Sequence, residues 1–215
     1  MQKLKGLLKA AHFGPTLIVT AISFGFGTYY WWEGPAYVIA FGVFTGQLVV
    51  GWSNDLYDFD DDLKHQRAKK PLVSGLITKQ YLQKWLRFMV PFSFVANLLG
   101  PLGIKGGSVY MLGIACGVAY NFYFKFSILS PLPYAIAFAA LPSSVAISKD
   151  INPPVWMLLG GALFGMAAHF INVIKDMDQD QASGIKGLPQ RLGKVKSIAV
   201  AVVLIALGIA LLIVS

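Results

Sequence analysis

Eight of the ten acidic residues fall in two short clusters, and each cluster carries the spacing Asn-x-x-x-Asp-x-x-x-Asp. The first holds Asn54, Asp58 and Asp62, with Asp55 alongside; the second holds Asn172, Asp176 and Asp180. At about 100° per residue on a helix, Asn54, Asp55, Asp58 and Asp62 share an arc of about 100°. His169, Asn172, Asp176 and Asp180 share one of about 80°, while Asp60 and Asp178 point away. Carboxylates are expensive beside lipid, so a matched pair of such faces implies a divalent cation and an anion for that cation to hold. Opposed, the two faces would share Mg²⁺ ions whose remaining positions are open to water or phosphate oxygens. Solvated loops at a membrane edge would account for either cluster alone; equal spacing in both favours metal and phosphate.

The elements that must position these groups are membrane helices. Of 215 residues, 56% are hydrophobic and 13% charged, with mean hydropathy +0.61, against about 25% charged residues in a soluble globule. Seven apolar stretches, near 14–32, 35–53, 84–102, 107–124, 131–148, 155–174 and 197–214, approach the roughly 20 residues a spanning helix needs. The expected fold is therefore all-α, a polytopic bundle of about seven transmembrane helices forming a single domain over 1–215. The long polar loops are expected at 54–83 and 175–196, each opening on an acidic cluster and running through basic residues to a Gly or Pro turn. This weak internal repeat suggests two sub-bundles facing a central cavity.

The net charge of +8 is explained by topology rather than by nucleic acid. Placed on alternating sides, sixteen Lys and Arg fall on one side and only Lys105 and Lys149 on the other. The positive-inside rule then puts the N-terminus, both clusters and the cavity mouth on the cytoplasmic side. The Lys-rich start reads as a retained first helix, ended by the aromatic belt Tyr29–Tyr30–Trp31–Trp32. Cys116 lies in an apolar helix and excludes an intramolecular disulfide. Gln47 suits a helix–helix hydrogen bond, and His12 and His65 belong to no constellation.

The sequence Asn54-Asp55-Leu56-Tyr57-Asp58-Phe59-Asp60-Asp61-Asp62 resembles the NDxxDxxxD signature of the UbiA superfamily of intramembrane prenyltransferases, and Asp176–Asp180 resembles its second motif, DxxxD. Gly184–Pro189 with Gly193 looks like the loop after that motif. Lys70-Pro71 with Ser74-Gly75 stands where the family has Arg-Pro and Ser-Gly, and Tyr120 and Lys125 match its Tyr and Lys near the end of the fourth helix. The likeness covers roughly residues 12–195. Within the superfamily, His12–Thr16 and Gly51–Asp55 look most like bacterial members without an assigned substrate.

The resemblance implies Mg²⁺-dependent transfer of an isoprenyl group from an allylic isoprenyl diphosphate to a lipophilic acceptor, foremost an aromatic one, in the bacterial cell membrane. Asn54, Asp55, Asp58, Asp62, Asn172, Asp176 and Asp180 become the metal set, and Lys125 a phosphate contact. Tyr120 would face the allylic cation. Arg67, Lys70, Lys186 and Arg191 would close over the diphosphate, though flexible basic loops explain them equally. For His169, an acceptor-binding or proton-accepting role and a plain buried histidine stand level. Family members have nine spanning helices, so seven imply a short form or a truncated sequence, and Lys70 in place of Arg weakens bidentate phosphate gripping. The rivals are a membrane cation transporter, a catalytically silent lipid-binding relative, and a CDP-alcohol phosphotransferase, whose Asp-Gly-x-x-Ala-Arg is absent.

Overall fold

The computed structural model describes residues 1–215 and is entirely helical. The elements are α1 (Gln2–Ala10), α2 (Phe13–Tyr30), α3 (Glu33–Lys64), α4 (Lys79–Leu98), α5 (Gly103–Phe122), α6 (Pro131–Ile147), α7 (Gly161–Ala182), α8 (Leu188–Leu192) and α9 (Lys194–Val214). A 3₁₀ turn at Phe124–Phe126 follows α5, and a π turn at Trp156–Gly160 leads into α7. By length and hydropathy, three helical stretches are long and apolar enough to cross a membrane: Glu33–Lys64, Trp156–Ala182 and Lys194–Val214. Helices α1 and α2, bent by 69° at their junction, make a fourth if taken as one span. The other expected spans exist as helices but fall short on that measure: α6 has 17 residues, and α4 carries Lys79, Lys84 and Arg87 in its first half.

Helix α2 packs on α3, α3 on α4 and α5, α5 on α6, α6 on α7, and α7 on α9; α2 also touches α6. Helices α3 and α7 share no extensive packing, so the two acidic clusters are carried by helices that pack mainly on other neighbours. Small residues let the backbones close: a Cβ on Gly165 would stand 2.3 Å from the Tyr134 carbonyl oxygen of α6. Gly165→Val should therefore prise α7 from α6 and cost about 1–3 kcal/mol, read as a lower thermal midpoint in detergent. Gly25→Val, at a position with nothing within 4 Å, should leave that midpoint unchanged.

The polar loops are shorter than expected. Helix α3 runs on to Lys64 and α7 to Ala182, so both acidic clusters are helical and the connections begin only at 65 and 183. The 32 residues of α3 extend about 48 Å, beyond the roughly 30 Å hydrocarbon layer, so its acidic end projects past the apolar stretch. The N-terminal lysines lie on an additional helix, α1, which buries Gly6, Leu7 and Ala10. Trp52 Nε1 donates to the Leu7 carbonyl at 2.9 Å, fixing α1 against α3.

Candidate active site

Both clusters run toward the C-terminal ends of their helices, so Asp62 and Asp180 fall in last turns, where the helix dipole disfavours negative charge. The first cluster is held by cations from outside α3. Asp55 and Asp62 are almost fully buried, 2% and 1% exposed. Lys70 Nζ donates to Asp55 Oδ1 at 2.7 Å and lies 3.6 Å from Asp62 Oδ2. Arg67 Nη1 donates to Asp62 Oδ1 at 2.6 Å. Lys125, buried on the 3₁₀ turn, donates to Asp58 Oδ1 and lies 4.8 Å from the centre of the Tyr57 ring. Burial opposes the charged form of Lys70, but the Asp55 carboxylate, with help from Asp62 and Asp58, outweighs it and holds the ammonium above its ordinary pKa.

Arg67 joins the clusters. Its Nη2 donates to Ser183 Oγ at 2.6 Å and to the Gln179 carbonyl at 3.4 Å, tying the loop after α3 to the end of α7. Tyr120 lies near enough to both Asp58 and Asp180 to feel their charges, and Asp180 feels Arg67 and Lys125. Asp180 Oδ2 accepts from Gln190 Nε2 at 2.9 Å. Asn172 and Asp176 are exposed, and Asp176 forms no hydrogen bond or ion pair. Lys186 is also exposed, its carbonyl accepting from Arg191 Nε at 2.7 Å, and its side chain is not drawn into the cluster. His169 is 1% exposed, with Nε2 3.0 Å from Ser130 Oγ and its ring beside Tyr120 and Tyr134.

Four contacts were not foreseen. His12, the elbow between α1 and α2, adopts a left-handed backbone (φ 50°) and sets Nε2 3.2 Å from Asn54 Oδ1 and 3.6 Å from Asp55 Oδ1. The elbow comes this close because residue 51 is glycine: a Cβ there would stand 2.8 Å from Ala11 Cα. Asn54 Nδ2 donates to Asp58 Oδ2 at 3.0 Å and to Asn121 Oδ1 at 3.2 Å, so Asn121 orients the first cluster. Gln190 does the same for the second by donating to Asp180, and Ser183 accepts from Arg67 beside it. Only adjacency to Tyr120 pointed to Asn121, and only the turn after Asp180 to Gln190.

No three acidic or imidazole side chains converge as a ready cage for a metal. The donor set nevertheless fits Mg²⁺. It consists of hard carboxylate and amide oxygens, Asp55 Oδ2 is buried without a partner, and Asp176 is free. Mg²⁺ is commonly bound by one or two carboxylates with water and phosphate completing the shell, which requires no dedicated cage.

A model of the UbiA prenyltransferase family matches residues 12–215. The chain belongs to the UbiA prenyltransferase family. Its members are integral membrane proteins, in keeping with the apolar helices described above. Solved structures share the fold. A UbiA homolog from Archaeoglobus fulgidus bound to GPP and Mg²⁺ superposes with a TM-score of 0.78 at 17% identity, covering 96% of this chain and 76% of that one. The same homolog bound to DMAPP and Mg²⁺ gives 0.77 at 17% identity, covering 98% and 75%. A digeranylgeranylglyceryl phosphate synthase gives 0.71 at 20% identity, covering 98% and 76%. No curated protein matches the sequence.

Proposed function

We propose that this UbiA-family protein transfers an isoprenyl group from an allylic isoprenyl diphosphate to a lipophilic acceptor, foremost an aromatic one, inside the membrane. The observation that carries this reading is the bridge Asp62–Arg67–Ser183, which ties the loop after the first motif to the C-terminal end of the helix that bears the second. Solved relatives hold GPP or DMAPP together with Mg²⁺, which supports the same donor class here. Asn54, Asp55, Asp58, Asp62, Asn172, Asp176 and Asp180 are the residues that would hold the metal. When bound, Mg²⁺ supplies Lewis-acid stabilisation for the negative charge that gathers on departing diphosphate.

The remaining work falls to the chain. Lys125, Arg67 and Lys70 already stand against carboxylates and are positioned to exchange them for diphosphate oxygens. Lys186 would join them by closure of the loop after α7. The allylic C–O bond breaks, the diphosphate keeps the electron pair, and the Tyr120 ring offers its face to the carbocation. The bilayer-embedded site excludes the water that would quench that cation. An aromatic acceptor attacks the allylic carbon and then loses a ring proton to the released diphosphate. His169 remains a candidate for holding the acceptor from the cavity wall. The site would open to the cytoplasmic side, as the sixteen-to-two distribution of cations suggests.

The test gives purified protein radiolabelled geranyl, farnesyl or geranylgeranyl diphosphate, Mg²⁺ and a lipid extract. Labelled lipid and one diphosphate released per prenyl transferred are expected, both lost on chelation. Metal flux into proteoliposomes without any prenyl donor, and no labelled lipid, would instead make the protein a transporter.

A further inference from the structure

On the opposite side of α3 from Asp55, Asp58 and Asp62, and on the side of Asp60, the helix ends leave a cavity of about 340 Å³ lined by Ser53, Tyr57, Lys79, Gln83, Arg87 and Phe122. Lys79, Gln83 and Arg87 follow one another at intervals of four on α4 and so share an arc of about 80°. Lys79 has only a long ion pair, 3.6 Å, to the exposed Asp60, and its ammonium lies 5.0 Å from the centre of the Phe59 ring. Arg87 is exposed and forms no hydrogen bond or ion pair. It lies about 12 Å along α4 from Lys79, and the next turns turn Phe88, Phe94 and Val95 outward. Tyr81 and Trp85, in edge contact with each other, sit on the same stretch, where interfacial aromatics mark headgroup depth.

An exposed, unpaired arginine at headgroup depth is free to meet a lipid phosphate, because no acidic group of the chain occupies it. The cavity supplies cations and an amide on α4, while Leu56, Leu86 and Phe122 provide an apolar flank. We propose that this cavity binds the headgroup phosphate of an anionic phospholipid from the leaflet on the carboxylate side. The glycerol and first acyl carbons lie along Phe122 and Leu86. The site is separate from the diphosphate locus but shares α3 with it. Ser53 and Tyr57 each directly precede a motif residue, Asn54 and Asp58, and the Tyr57 ring also lies beneath Lys125.

The test reconstitutes the intact chain in nanodiscs of mixed phosphatidylglycerol and phosphatidylcholine, returns it to detergent, and quantifies retained lipid by mass spectrometry. Wild type should retain phosphatidylglycerol preferentially. Arg87→Gln and Lys79→Gln should each reduce that retention about fivefold, the effect of one cation at an anionic lipid surface. Lys194→Gln, on α9, should leave it unchanged. Equal retention of both lipids by wild type, or undiminished retention in Arg87→Gln, would overturn the proposal. So would binding of inorganic phosphate alone, seen as Arg87-dependent ³¹P line broadening without lipid preference. If Arg87→Gln does not fold, the wild-type lipid comparison and Lys79→Gln decide the matter in the same way.

Discussion

Asp176→Ala should abolish prenyl transfer while leaving the fold intact. Asp176 is exposed and has no hydrogen bond or ion pair, so its removal leaves no buried charge unpaired and should move the thermal midpoint little. If it helps neutralise departing diphosphate, turnover should fall at least about 10²–10³-fold, the usual effect of deleting one preorganised electrostatic contact. Asp58→Ala is a less discriminating variant because it also strips Lys125, 5% exposed, of its carboxylate. Breaking such a buried pair costs about 3–5 kcal/mol, so activity and stability would fall together. Asp58→Asn keeps an oxygen for Lys125 and removes only the charge. Labelled product should therefore vanish in Asp176→Ala and Asp58→Asn, with near-native melting in the first. Wild-type turnover in Asp176→Ala would remove the second cluster from the site.

The helical face of each cluster could be read from spacing, because residues four apart stack on one side whatever surrounds them. The helix ends could not. A run with nine Asp, Lys and Arg from Asp55 to Lys70 reads as loop by composition. The structure instead continues α3 through the acids because Lys70, Arg67 and Lys125 neutralise them from other segments. Lys125 is distant in sequence, and although Arg67 and Lys70 follow the cluster closely, no local pattern announces that the chain folds back onto it. His12 shows the same limit. It was an isolated histidine in sequence, and only the tight approach of Gly51 to the α1–α2 elbow brings it to Asn54 and Asp55. Lys186 marks the converse, since chain proximity to Asp180 did not draw its side chain into the cluster. Apolar stretches located the helices well, but hydropathy alone separates three or four spans from the rest. Charges in the first half of α4 carry it below the threshold.

Lys70→Met should destabilise the metal-free protein and make Mg²⁺ a stronger stabiliser than it is for wild type. Asp55 is 2% exposed, and Lys70 is its only close cation, with His12 at 3.6 Å and Oδ2 unpartnered. Removing the ammonium strands a buried carboxylate, a loss of about 3–5 kcal/mol. In wild type Lys70 occupies Asp55 and Arg67 occupies Asp62, the carboxylates that would hold the metal; in the variant Asp55 is free of its ammonium. Since any ligand of the folded state adds RT ln(1 + [L]/Kd) to stability, Mg²⁺ with a non-hydrolysable prenyl diphosphate analogue should raise the variant's midpoint more than the wild type's. Equal shifts would mean that Lys70 does not occupy the metal's ground. The wild-type pair also has a predictable pH signature. Because the folded pKa of Lys70 is raised above its usual 10.5, its stabilising contribution is complete below that pH. It is lost only as pH climbs through the higher folded value, so an alkaline melting series should show a decline that Lys70→Met lacks.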